Sequence, residues 1–444
     1  MTKRIATLLS VGASGVLWAN LANAAPDVAA LEALGKQVFF DEVSDPPRQA
    51  CATCHVPSAG WTGPIAAINM GQVAMPGADP HSEGNRKPPT ASYASFAPSN
   101  LTGCLGIPAV RCVGGIFWDG RADGSAIGYE VFDGDPDLID AYEDFLGPTA
   151  DQALGPFAND AEQNVPDGET ELAGATAVCE HVASAKYAEL FELAWGVPPD
   201  CDDDADLEFK RIAVAISAYE HSYEVNSFSS FRDFALANDA DHASPLDDFT
   251  DEENLGHFLF YTPRAAGGAG CVACHNSEGA GASGDEPKQL YTDHRFHNIG
   301  LPPNYAAANF DPANPDIGLG GVTGEPGQAG SFRTTTLRNV DQRVGNGFTK
   351  AYMHNGYFKS LEQVVHFYNT AKVKPVCPMS GASAAEAIAN DCWPPPENPV
   401  GVAPGVIVGA LGLSPDQEAA LVAYLKTLSD TVVPNAPKPY KPSH

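Results

Sequence analysis

The sequence predicts a mainly α fold with long irregular loops, divided into two domains. Capped amphipathic stretches predict the helices, and strand-like alternation is scarce. A cysteine–histidine motif that occurs twice, far apart, predicts the division. The 444 residues leave room for two cores. Hydrophobic residues make up 44% and charged residues 18%, a composition of ordered rather than disordered chains. Gly 43 and Pro 37 account for the loops without approaching low complexity. The formal net charge of -31 repels phosphate backbones, so nucleic-acid binding is excluded as the main activity. It favours partners that carry a basic patch.

Taken in order, residues 1–24 read as a secretory signal. Lys3 and Arg4 are followed by an apolar stretch from Ile5 to Trp18 and a small-residue cleavage site, Ala22-Asn23-Ala24. The stretch is too short and too rich in Gly and Ser for a spanning helix, and nothing later approaches spanning length. The expected mature protein is exported to the periplasm, with no membrane span. Ala205–Leu236 reads as one long helix, apolar at Ile212, Ala215, Ile216 and Tyr219. Thr250 with Glu253 forms a capping box before Leu255–Phe260. Ser414 with Gln417, and Pro415 at the first helical position, start a last helix whose apolar face is Ala420, Leu421, Tyr424, Leu425 and Leu428.

The repeated motif is Cys51-Ala-Thr-Cys54-His55 and Cys271-Val-Ala-Cys274-His275. In C-x-x-C-H, two thiols can bond the vinyl groups of one haem while the His binds its iron. A thioredoxin-like pair needs no such His, and a zinc site would bring the two pairs together. Two covalently bound haem c groups are expected, one per domain. The boundaries are 25–240 and 241–432, with a tail at 433–444. Of the 10 cysteines, Cys104, Cys112, Cys179, Cys201, Cys377 and Cys392 remain. Proximity suggests the disulfides 104–112, 179–201 and 377–392, each closing a loop with little core of its own.

Further segments accompany the motifs. They are Leu34–Asp41, Arg86-Lys-Pro-Pro-Thr90, Ile116-Phe-Trp-Asp-Gly-Arg121, Tyr291–Gly300, Phe332–Val340, Tyr352-Met-His-Asn-Gly356 and Leu361–Asn369. In this order they resemble the bacterial dihaem cytochrome c peroxidase family, including its MauG-type branch, from about Leu31 to Ser429. The resemblance implies two cytochrome c-like domains, hydrogen peroxide as substrate at the N-terminal haem, and a protein electron donor or protein substrate. It implies His55 and His275 as the axial ligands beside each attachment site. It implies Glu162 as the distal acid/base, since Gln152, Pro156 and Glu162 keep the family's spacing behind an insertion at roughly Gly124–Thr149. Trp118 matches the tryptophan between the haems, suited to relaying an electron.

The sixth ligand of the second haem separates the branches. Tyr368 stands at the tyrosine position of the MauG-type branch, with Met353 as the rival. A phenolate favours oxidised iron and a thioether reduced iron. His81 lies in the loop where relatives carry a displaceable distal His, so it either binds iron or is solvated. The family's interdomain calcium is in doubt. Lys87 replaces its Asn ligand and Thr349-Lys-Ala351 replaces its Thr-x-Pro. Calcium needs oxygen ligands, so either the Lys87 ammonium stands in for it or the site has drifted. Ala269 replaces the surface tryptophan that precedes the second motif in MauG-type relatives. His294 and His297 are candidate partners for haem propionates. The reading is a MauG-like oxidation of a protein partner. Alternatives are plain peroxide reduction by a small cytochrome or copper protein, and a non-catalytic electron-transfer cytochrome.

Overall fold

The computed structural model describes residues 25–276, 283–438 and 440, except 100, 102, 169, 308 and 309. The segment read as a secretory signal lies outside the described residues. The fold is mainly helical with little sheet. Six helices are used below: α1 (Val28–Phe40), α2 (Pro148–Ala158), α3 (Ala205–His221), α4 (Asp251–Tyr261), α5 (Leu361–Thr370) and α6 (Pro415–Lys426). A two-residue pair, β1 (Phe296–His297) and β2 (Phe332–Arg333), is antiparallel. No helix among the described residues is long and apolar enough to cross a membrane.

Two apolar cores are present. One runs from Ala30 to Val225 and the other from Ala235 to Leu428. Each is organised by the same crossing. In the first half α1 buries Leu31, Leu34, Val38 and Phe39 against α3. A Cβ on Gly35 would meet the Ala215 carbonyl oxygen at 1.8 Å, so the two backbones touch there. In the second half α4 crosses α6, and a Cβ on Gly256 would lie 2.0 Å from the Ala420 carbonyl oxygen. In both halves the helix preceding the C-x-x-C-H motif packs against the closing helix of that half. Only glycine permits so close an approach.

Helix ends follow the sequence signals. Asp27 accepts from the Ala30 amide (3.0 Å) to start α1. The capping boxes at Thr250/Glu253 and Ser414/Gln417 form as expected, with Pro415 in the first turn. The expected single helix over Ala205–Leu236 does not form. It ends at His221, and a new helix, Phe231–Asn238, begins behind a Ser230/Asp233 capping box. The break has a local cause. Asn226 donates from Nδ2 to the Glu220 carbonyl (2.6 Å), and Ser230 offers a new cap.

Disulfides 179–201 and 377–392 are present. The 104–112 bond is not: Cys104 and Cys112 are two buried thiols in a small cluster with Phe296 and Leu319. Cys112 Sγ faces the Cys104 carbonyl oxygen (3.9 Å), and Gln328 Nε2 holds that same carbonyl (2.7 Å) and Cys112 Sγ (3.8 Å). Sequence proximity put the residues together, and the two thiols remain unbonded neighbours beside Gln328.

The halves share a buried polar seam. Arg338, fully buried, pairs with both carboxylate oxygens of Asp233 (2.7 and 2.9 Å) and stacks over Phe228 and Tyr93. Asp430 accepts from Tyr93 Oη (2.8 Å) and from Asn339 Nδ2 (3.0 Å).

Substituting Gly256→Ala is expected to cost about 1–3 kcal/mol by overpacking and to lower the thermal midpoint by several degrees. Circular dichroism against the parent protein checks this, and an unchanged midpoint would mean the α4–α6 crossing yields freely.

Candidate active site

Two cavities lie back to back, one per motif. Counting their solvent-facing mouths, they enclose about 1320 Å³ around the first motif and about 1660 Å³ around the second. Each motif is a short turn whose His faces its cavity. His55 Nδ1 lies 3.2 Å from the Trp61 carbonyl oxygen, and His275 Nδ1 lies 2.9 Å from the Tyr291 carbonyl oxygen. A carbonyl only accepts, so Nδ1 carries the proton in each ring and Nε2 keeps a free lone pair. Burial lowers the pKa of both, that of His55 to about 4, so both rings are neutral. A neutral imidazole with Nε2 free, beside two cysteines in an apolar cavity, fits an iron porphyrin. The metal-ligand cluster Cys274–Asp293–His297 includes a cysteine of the second motif and belongs with that site.

The first cavity is also lined by Glu162, Gln152, Pro156 and Arg121. Gln152 and Pro156 sit on α2, and Glu162 on the loop beyond it. That loop is tied at both ends. The Ala78 amide donates to the Glu162 carbonyl (2.7 Å), and Gln163 N donates to the Pro156 carbonyl (3.1 Å). Asn159 Nδ2 donates to Glu162 Oε1 (3.0 Å). Burial raises the Glu162 pKa, opposed by the Arg121 guanidinium and the Asn159 hydrogen bond. His81, by contrast, is exposed and does not line this cavity. Its backbone amide turns onto Asp79 Oδ1 (2.9 Å).

The second cavity holds both rival ligands, Tyr368 on α5 and Met353 in the Tyr352–Gly356 turn. Burial raises the Tyr368 pKa. His297 lines this cavity and pairs with Asp293 (3.0 Å), whereas His294 is buried behind it against Arg333 (3.0 Å). Ala269 lines it too.

Trp118 and Arg333 line both cavities. The Trp118 indole donates to the Lys87 carbonyl (2.7 Å), and the Arg333 amide donates to the Trp118 carbonyl (2.9 Å). Arg86 clamps the same junction, bonded to Asp119 (2.5 Å) and to Asp316 (2.6 Å).

Lys87 and the stretch 349–351, where the resemblance places a calcium ion, do not fit one. The Lys87 and Lys350 side chains are buried there. The Thr349 carbonyl accepts from Asn69 Nδ2 (3.0 Å), and the remaining carbonyls nearby serve the lysines.

Three residues escaped the sequence reading. Glu220 lines the first cavity from α3, and burial alone raises its pKa to about 8. An acid next to Tyr219 of the helix's apolar face was its signal. Arg333 and Lys350 carried none, because only the fold brings them to the junction.

A family model described as Di-haem cytochrome c peroxidase matches residues 29–241. Methylamine utilization protein MauG of Paracoccus denitrificans (strain Pd 1222) is 30% identical over 408 residues, covering 90% of this chain and 89% of the relative. The chain belongs to the di-haem cytochrome c peroxidase family. Cytochrome c551 peroxidase of Nitrosomonas europaea is 27% identical over 381 residues, with 82% and 84% covered. The crystal structure of the diheme peroxidase BthA Y463M variant from Burkholderia thailandensis E264 superposes with a TM-score of 0.64 at 26% identity, covering 94% of this chain and 91% of that one. Membership makes the protein a haem-dependent oxidoreductase and implies two haem groups, for which the two cavities are suited.

The purified protein is expected to keep haem stain after denaturing electrophoresis and to gain two haem masses by mass spectrometry. A Cys51→Ser/Cys54→Ser double variant should lose one of them. Two haems retained on that variant would contradict attachment at the first motif.

Proposed function

We propose that this chain is a periplasmic c-type peroxidase-family enzyme that takes hydrogen peroxide in the first cavity and oxidises a protein partner from the second, in the manner of MauG. Haem, covalently held at Cys51 and Cys54 and at Cys271 and Cys274, would supply the iron that cleaves the O–O bond. Reduction of one peroxide to two waters consumes two protons and two electrons, and the electrons come from the partner. The observation that carries the reading is the asymmetry of two cavities sharing one indole. A carboxyl group aims into the first, a phenol and a thioether into the second, and Trp118 stands between them.

In this reading Glu162 takes the proton from the near peroxide oxygen and returns it to the far one, a role its burial and raised pKa suit. Asn159 orients the carboxylate and leaves one oxygen free. Gln152 and Pro156 shape the wall on the same side. Arg121, stacked on Phe117 (3.7 Å), supplies positive charge near the carboxylate. Trp118 carries electrons between the cavities, held still by Lys87 and Arg333. His55 and His275 would each hold an iron through Nε2, and Tyr368 would supply a further ligand to the second.

Met353, in the same cavity, supports a second reading: plain peroxide reduction fed by a small cytochrome or copper protein. In either case the net charge of -31 calls for a partner with a basic patch, and association should slow as salt rises. Export rests on the signal-like segment before residue 25, and calcium has no part in this reading.

Glu162→Gln is expected to slow peroxide consumption by about 10²–10⁴-fold. The parent rate should rise with pH through a pKa above the ordinary Glu value, because only the carboxylate can accept the proton. The variant should lose that limb, and a retained limb would assign it elsewhere. Tyr368→Met should shift the spectrum of the second haem and leave the first unchanged. No shift would move the ligand to Met353 and favour the second reading.

A further inference from the structure

The junction between the halves holds two lysines whose side chains are buried, Lys87 and Lys350. Lys350 Nζ lies 2.9 Å from the Ala59 carbonyl oxygen, 2.8 Å from that of Asn339 and 3.1 Å from that of Gln342. Three carbonyls can only accept, so three N–H groups must be present, and only the ammonium has three. Ala59 belongs to the first half, Asn339 and Gln342 to the second. The ammonium therefore binds the two halves together as a small, directional cation would.

The surroundings are built around that cation. Gly60 has φ +73°, and a Cβ there would lie 2.6 Å from both Lys350 Nζ and the Asn339 carbonyl oxygen. The Pro57–Gly60 turn thus packs directly on the ammonium. The same turn leads from His55 to Trp61, whose carbonyl orients the His55 ring. Asn339 is held in turn by Asp430 and Ser92 (3.0 and 3.2 Å). Lys359 repeats the arrangement nearby, reaching the Asn69 carbonyl of the first half (2.7 Å) and that of Gly356 (2.6 Å).

Lys87 is the other charged neighbour, with Asp341 and Arg343. Its Nζ donates to Thr62 Oγ1 (2.6 Å) and to the Pro88 carbonyl (3.0 Å), while Thr62 Oγ1 itself donates to Pro88 (2.7 Å). Two acceptors are satisfied by a neutral amine. Burial brings the Lys87 pKa to about 7. Burial and Lys87 press the Lys350 pKa down as well, but its three acceptors hold the proton. Asp341, already paired with Arg343 (2.8 Å), is the nearby negative charge.

We propose that Lys350 is a built-in structural cation that fixes the turn after the first Cys-x-x-Cys-His motif to the second half, so that His55 is positioned without a bound metal ion. Lys350 is a positioning residue, acting through the Pro57–Trp61 turn.

The test uses the haem-loaded protein. Wild type is treated with EDTA, desalted, and examined for calcium content, thermal midpoint and the electron paramagnetic resonance signal of the first haem. All should be as before, with calcium far below one per chain. Loss of the signal on chelation with recovery on added calcium chloride would overturn the proposal. Lys350→Met should alter the first-haem signal and slow the peroxide reaction by up to about 10²-fold, as misplacement of a positioned group does. Lys350→Arg, which keeps the charge, should retain the signal in greater part. Lys350→Ala should regain it on addition of n-propylammonium, which matches the side-chain atoms removed and restores an ammonium. Lys350→Met or Lys350→Ala protein indistinguishable from wild type in EDTA would also overturn it. Should either variant fail to load haem, the wild-type chelation and Lys350→Arg results decide alone.

Discussion

The structure depends on holding one indole against two cavities at once. Trp118 is tied through its N–H to the Lys87 carbonyl and through its own carbonyl to the Arg333 amide. The first tie lies within the N-terminal half, and the second belongs to β2 of the other. Each bond contributes only about 1 kcal/mol net, yet either left unmade would strand a buried polar group. Together they fix where one cavity ends and the other begins. Arg86 locks the same corner by joining Asp119 to Asp316. Buried ion pairs of this kind add geometric definition more than net stability.

Around that junction the settings of the two motif histidines are copies and the rest of the cavity linings are not. In each half a helix crossing at a glycine sets the motif, and a backbone carbonyl holds the histidine Nδ1. The two imidazoles are therefore in one tautomer for one reason. Difference enters in the rest of the lining. The first cavity is lined by two carboxyl groups, Glu162 and Glu220, whose pKa burial raises. The second is lined by a phenol, Tyr368, and a thioether, Met353. Repetition gives two sites, and the side chains around them make the two unlike.

The lysine-rich seam explains why the family's calcium position reads ambiguously in this chain. Lys87 was visible as the replacement for an oxygen ligand. The residue beside it, Lys350, makes the three-carbonyl contact, and it stood at the variable position of the Thr-x-Pro stretch. At this position the three carbonyls face a side-chain nitrogen of the chain itself.

Sequence alone determined what depends on neighbours in the chain. The two C-x-x-C-H motifs, the caps at Thr250 and Ser414, and the disulfides 179–201 and 377–392 are spacings that local geometry can satisfy unaided. Spacing also led to Gln152, Pro156 and Glu162, which line one cavity despite the insertion before them. Tertiary structure decided the rest. It fastened the locally caused helix break at Ser222, where Asn226 Oδ1 accepts from the distant Tyr93 amide. It set Gln328, more than two hundred residues on, against Cys104 and Cys112, which remain free thiols. It left His81 at the surface, and it brought Arg333, Glu220 and Lys350 to the cavities and their junction. The physical reason is that a motif needs only a few bonds of backbone to form. A buried charge has meaning only once the fold has removed the water and supplied its partners.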